Sequence, residues 1–235
     1  GKAVLALADN IMPQVTRTKN DLKRLAHGQA GRLRLASECH SCFDWLMPIL
    51  NHYRREWSDV ELDFATGFEP EPHHLLMEGD IDLLITTSNL PLKGISYQPL
   101  FEYESRLVLS PTHDLAAQDF IAPHDLIDET LIAYPVEAKR LDIIANFMTP
   151  SDVSFADIRT TELTAMLIQL VASERGVAAL PDWVVSEYEK KGWVVSRPLG
   201  DGVYCQLYAA TRTASQDMAY MQGFASLLDG IVKPV

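Results

Sequence analysis

At 235 residues, with 47% hydrophobic content and a formal net charge of −12, the chain is long enough for one large domain or two small ones with a proper core. It is too acidic to grip nucleic-acid phosphates by itself. No run approaches the ~18 apolar residues of a membrane span, and the start Gly1-Lys2-Ala3 lacks the order of a signal peptide, so a cytoplasmic protein with no membrane contact is expected.

Residues 1–27 carry Val4, Ala8, Ile11, Val15, Thr18, Leu22 and Leu25 at alternating spacings of four and three, a heptad seam that predicts a linker helix of coiled-coil type. Pro13 falls off the seam and is expected to kink the helix, and packing on the helix's own domain is the alternative. Residues 28–31, rich in glycine, read as a flexible linker with C-capping glycines. Strand and helix patterns then alternate: strand 33–36, helix 43–57, strand 60–65, helix 71–78 and strand 82–86. That rhythm predicts α/β architecture with a parallel sheet. Two extended runs follow at 96–101 and 105–110. The alternation restarts with strands 130–134, 154–159 and 177–180 and helices 138–148, 162–174 and 183–190. Extended runs at 193–195 and 203–210 precede an amphipathic helix over 216–229.

The junction after the first strand, Ser37-Glu38-Cys39-His40-Ser41-Cys42, crowds small polar and thiol groups at a helix start, where unpaired N–H groups and the positive dipole end favour an anion. Cys39-His40-x-Cys42 admits two sharper readings. A metal site needs more ligands, and His73, His74 and Cys205 lack finger-like spacing, so no metal is expected. A Cys–His nucleophile needs a base oriented by a third group, which adjacency does not supply, so no catalytic residue is expected. With an odd count of three, the cysteines suit a reducing compartment and otherwise serve as small buried hydrophobes.

Arg32–Ser37, Leu46–Leu50, Gly79–Asp82, Leu107–Pro111 with His113–Leu115, and Leu170–Pro181 occur in an order and spacing that resemble the effector-binding region of LysR-type transcriptional regulators, over about residues 32–228. Within that family, Glu38–Cys42 with Trp45-Leu46, Tyr134–Val136 with Arg140–Asp142, and Ala179–Val185 look like the branch that activates methionine-biosynthesis genes with homocysteine as coinducer. The resemblance implies an α/β fold of two Rossmann-like subdomains of periplasmic-binding-protein type, joined by two crossover strands and preceded by the linker helix. Residues 32–110 plus 206–235 would form the first subdomain and 111–205 the second, with the family's N-terminal winged helix-turn-helix absent from this chain.

In such units ligands collect outside the carboxyl ends of the strands, so the implied site is the interdomain cleft. From the first subdomain it would receive Ser37, Glu38, His40, Ser41, Thr66, Gly67, Thr87 and Ser88, and from the second Tyr134, Thr161 and Glu162. Ser37, Ser41 and helix N–H groups would take homocysteine's carboxylate, and Glu38 or Glu162 its ammonium. Phe43, Phe68 and Tyr134 would line the thiol end. Thr160 or Thr161 would cap the helix that follows, although every Ser and Thr here serves equally well as a plain N-cap. No cofactor is expected beyond the coinducer. The family further implies a homo-oligomer, dimer or tetramer, pairing through helices 43–57 and 162–174, with DNA bound only through the missing domain. A solute-binding protein for a small amino acid or anion is the alternative from another class, and a thiol hydrolase is a third.

Overall fold

The computed structural model describes residues 31–38, 42–65, 71–229 and 231, together with Val4, Leu5, Leu7, Ala8, Ile11, Met12, Gln14, Val15 and Thr18. These nine are helical, and the seam positions Val4, Ile11 and Val15 are exposed. Leu22 and Leu25 of the expected seam, and linker residues 28–30, lie outside the described residues.

Strand β1 (Arg32–Ser37) leads to helix α1 (Phe43–Glu56), and then come β2 (Glu61–Ala65), α2 (Pro72–Glu78), β3 (Leu83–Thr86) and the long β4 (Ile95–Leu109). The chain continues through β5 (Thr130–Ala133), β6 (Asp157–Thr160), α3 (Thr164–Ala172), β7 (Ala178–Pro181), α4 (Asp182–Lys190), the long β8 (Val195–Arg212) and α5 (Ala219–Asp229). Six strands form one sheet in the order β2-β1-β3-β8-β4-β7, and β5-β6 form a second. A parallel bridge from Leu131 to Val177 ties that second pair to the residue before β7.

The sheet is mixed, not parallel as the alternating rhythm predicts. β1 runs parallel to β2 and β3, whereas β8 is antiparallel to both β3 and β4. The reason lies in the two longest strands. Ile95–Pro99 of β4 pairs with Tyr208–Arg212 beside β3, while Ser105–Val108 of the same strand pairs with β7. The expected separate runs 96–101 and 105–110 are therefore parts of one crossover strand, and 203–210 belongs to a second that begins at Val195, with Trp193 and Val194 of the expected run 193–195 lying before it. Glu102 and Glu104 interrupt the apolar run without ending the strand, because Phe101, Tyr103, Ser105 and Leu107 point alternately to the buried face.

Helix 138–148 is another expectation that changes. A 3₁₀ turn over Ala138–Arg140 stops at Leu141, whose backbone is extended (φ −85°, ψ 118°), and a π-helix over Ile144–Met148 follows. Helix α3 likewise starts later than expected: its N-cap is Leu163, with no side-chain cap, and Thr160 belongs to β6.

One core runs through both halves. On α1, Leu46, Leu50 and Tyr53 recur at helical spacing and meet Phe224 of α5, with the Tyr53 ring edge-on to Phe224 at 5.1 Å. The Tyr53 hydroxyl donates to the Tyr220 carbonyl at 2.8 Å, and burial pushes its pKa up, so it stays a donor. A smaller cluster of Ala36, Leu76, Ile81, Leu84 and Ala210 lies under α2.

The Gly79–Asp82 motif holds these pieces in register. Gly79 is the left-handed C-cap of α2 (φ 82°), and its carbonyl accepts from Arg34. Asp82, 6% exposed, accepts through Oδ2 from the Arg34 backbone N–H at 2.9 Å and from its Nε at 3.3 Å. Its Oδ1 accepts from Arg212 at 2.8 Å, and Arg212 also donates to the Leu76 carbonyl at 2.7 Å. One buried carboxylate thus joins β1, α2 and β8. Asp82→Ala strands two arginines and is expected to cost about 3–5 kcal/mol in urea unfolding. A cost below about 1 kcal/mol, the range of an exposed pair, would contradict this role.

Candidate functional site

A cavity of about 1060 Å³ opens between the two halves of the sheet. Its position follows from strand direction. β1 and β3 are parallel neighbours whose carboxyl ends reach the same edge, and the chain after β5 comes back to that edge from the other half. Glu38, Thr87 and Ser88 line one wall, Tyr134, Arg140 and Asp142 the other, and Tyr103 and Cys205 of the crossover strands lie between.

Glu38 is fixed from several sides. Its N–H donates to the Ile85 carbonyl at 2.9 Å, extending the β1–β3 ladder by one residue. One carboxylate oxygen accepts from the Thr86 hydroxyl, which itself accepts from the Ser88 N–H at 2.9 Å. The other accepts from the Arg140 guanidinium at 2.7 Å, with both side chains largely sheltered from water. That ion pair reaches from one wall of the cavity to the other.

A second polar group sits against the crossover strands. Tyr103 and Cys205 are register partners on β4 and β8. The Tyr103 hydroxyl donates to Asp142 Oδ2 at 2.7 Å, the Cys205 thiol donates to the same carboxylate, and Asn146 Nδ2 lies 3.9 Å from Cys205 Sγ. Burial pushes the Asp142 pKa up, partly offset by the bonds from Tyr103 and Cys205. Burial, reinforced by the Asp142 charge, pushes the Cys205 thiol up to about 12. At neutral pH Cys205 is therefore a neutral thiol and not a nucleophile.

Of the residues expected at the site, Glu38, Thr87, Ser88 and Tyr134 line the cavity. Ser37 does not: its hydroxyl accepts from the Cys42 thiol at 3.0 Å, beneath the helix start. Thr161 and Glu162 are also off the wall. The Thr161 N–H donates to the Ala133 carbonyl at 2.9 Å, continuing the β5–β6 ladder, and Glu162 is exposed, because α3 begins two residues later than its sequence predicts. The Tyr134 hydroxyl meets Thr164, inside that helix, at 2.7 Å. His40, Ser41, Thr66, Gly67 and Phe68 lie outside the described residues, as does Cys39.

The structure adds Arg140, Asp142, Tyr103 and Cys205. Arg140 and Asp142 sit inside the segment that reads as a continuous helix, and Tyr103 falls in the gap between two expected strands. The signal was the Arg140-Leu141-Asp142 tripeptide itself, two opposite charges flanking one apolar residue.

A mixed α/β sheet in two halves, with a polar cavity at the strand ends, defines a two-lobed ligand-binding domain. The chain belongs to the LysR family: the model for the LysR substrate binding domain matches residues 26–230. The HTH-type transcriptional regulator MetR of Salmonella typhimurium is 43% identical over 224 residues, 95% of this chain and 69% of that protein. MetR of Haemophilus influenzae is 40% identical over 225 residues, 95% of this chain and 72% of that protein. The solved regulatory domain of MetR, a LysR family regulator from N. meningitidis, superposes with a TM-score of 0.79 at 44% identity, covering 85% of this chain and 92% of that one. These relatives are transcriptional regulators and not enzymes.

Asp142 gives a pH prediction whose sign is fixed by burial. A carboxyl whose folded pKa lies above its ordinary value of 3.8 binds more protons folded than unfolded, so its contribution to stability falls as pH rises through that window. Asp142→Asn, which keeps an acceptor for Tyr103 but cannot ionise, is expected to raise stability at about pH 7, and its advantage should shrink towards pH ~4. Urea melts across that range measure it, and a variant less stable at neutral pH would contradict the burial argument.

Proposed function

We propose that this chain is the coinducer-sensing and oligomerisation region of a LysR-type regulator of methionine biosynthesis, and that homocysteine binds in the cavity between its halves. The observation that carries the reading is the Glu38–Arg140 pair, 2.7 Å apart and spanning the two walls. Homocysteine is a zwitterion with a short thiol chain. Its carboxylate competes with Glu38 for Arg140, and Thr87, Ser88 and Tyr134 supply hydroxyls around it. A cavity of about 1060 Å³ is far larger than such a ligand, so binding that engages both walls favours a narrower cleft. That difference in affinity between two arrangements is what a sensor requires, typically ~1–3 kcal/mol of coupling.

Self-pairing has support in exposed apolar side chains. Phe43 and Met47 on α1 and Leu163 and Met166 at α3 are 38%, 43%, 67% and 49% exposed. The helical seam of Val4, Ile11 and Val15 adds a further exposed face for a second copy. The reading places the protein in the cytoplasm, with DNA engaged by a winged helix-turn-helix on the N-terminal side of the linker helix. Among the described residues no helix is long and apolar enough to cross a membrane.

Isothermal titration of the chain with homocysteine and with methionine tests the coinducer, and sedimentation of the same samples tests assembly. Heat with homocysteine and a dimer or larger species are expected. No heat from either amino acid at millimolar concentration would remove the coinducer, and monomers at all concentrations would remove the pairing.

A further inference from the structure

The carboxylates on the cavity wall differ in how they are compensated. Glu38 is paired with Arg140 at 2.7 Å, and Glu137 with Lys139 at 2.7 Å. Glu71 is exposed to water. Asp142 is sheltered, and its hydrogen-bond partners, Tyr103 and Cys205, are neutral donors. Among the described residues no Lys, Arg or His pairs with it. A carboxylate kept from water without a counter-ion is costly, and a ligand cation relieves that cost.

Its placement relative to Arg140 narrows the ligand further. The two residues flank Leu141, whose extended backbone puts side chains i and i+2 on one side of the chain, about 7 Å apart at the backbone. Both line the cavity. A long guanidinium and a short carboxylate at that spacing converge on groups one carbon apart, which is the arrangement of an α-amino acid. The geometry points to Asp142 as the acceptor of the ligand's α-ammonium, with Arg140 taking the α-carboxylate, so that this tripeptide selects α-amino acids over simple acids or amines. Glu38, which accepts from Arg140 and Thr86 in this structure, is then the latch across the cleft that the ligand's carboxylate opens. Tyr103 and Cys205 act as positioning residues: they hold Asp142 from the two crossover strands and connect the ligand's charge to the joint between the halves.

This inference rests on the cavity being an amino-acid site, and the test separates the two. Wild-type chain and Asp142→Asn are titrated calorimetrically with homocysteine, with its deamino analogue 4-sulfanylbutanoate, and with a panel of other L-α-amino acids, each paired with its deamino acid. In the wild type the amino acid should bind more tightly than its deamino partner. In Asp142→Asn the amino acid should lose roughly tenfold to a hundredfold in affinity, as for a hydrogen bond to a charged group, while the deamino partner changes little. A urea melt of Asp142→Asn at least as stable as the wild type at neutral pH shows that the variant is folded, so that its lost preference reads the missing charge. If homocysteine fails but another amino acid shows this pattern, the coinducer is wrong and the role of Asp142 stands. If the preference for the ammonium survives Asp142→Asn, or no ammonium-bearing ligand binds the wild type, the inference is overturned.

Discussion

The ladder between β4 and β8 is the constraint on which the other features depend. Each strand is long enough to serve both halves of the sheet, pairing at one end with β3 or with its partner beside β3, and at the other with the strands around β7. Register shifts between Pro99 and Glu102 and between Ser105 and Arg106 mark where the ladder changes from one half to the other. Because the same two strands belong to both halves, the carboxyl ends of β1 and β3 face the segment after β5 across a single cavity. Tyr103 and Cys205, at the middle of that ladder, are part of the cavity wall, so the joint and the site are one structure.

Charge is distributed around this joint in two distinct ways. Asp82 is buried with both of its oxygens engaged by arginines, and its role is to hold β1, α2 and β8 in place. Asp142 is also sheltered, but it faces an open cavity, and among the described residues its hydrogen-bond donors are the neutral Tyr103 and Cys205. Among the described residues one carboxylate faces the cavity without a counter-ion while another beneath it is fully compensated, the pattern expected where stability is given up for binding. The Glu38–Arg140 pair stands between these cases, since it is satisfied within the chain yet spans the cavity.

Much of the first half was legible from the residues. The strand at Leu33 and Leu35, the helix carrying Leu46, Leu50 and Tyr53, Pro72 in the first turn of α2 and the left-handed Gly79 all follow from periodicity and capping chemistry. Strand direction was not legible, because an antiparallel strand shared by two halves has the same alternation as two shorter strands with a polar break. The loss of regular helix over 138–148 was hidden for a related reason. Its apolar spacing suits a helix, and only tertiary packing draws Leu141 into an extended conformation. Glu38, Thr87, Ser88 and Tyr134, which the rule that ligands gather at strand ends singles out, line the cavity. Asp142 and Arg140 escaped that rule because they sit on an irregular turn instead of a strand terminus.

The claim most exposed to direct test is that the cleft reads an α-amino acid from both walls at once. A crystal structure of the chain with homocysteine decides it. The account predicts the ligand inside the cavity, its carboxylate within hydrogen-bond reach of Arg140 and its ammonium within reach of Asp142. Homocysteine bound elsewhere on the surface, with the Glu38–Arg140 pair undisturbed and the cavity unused, would contradict it.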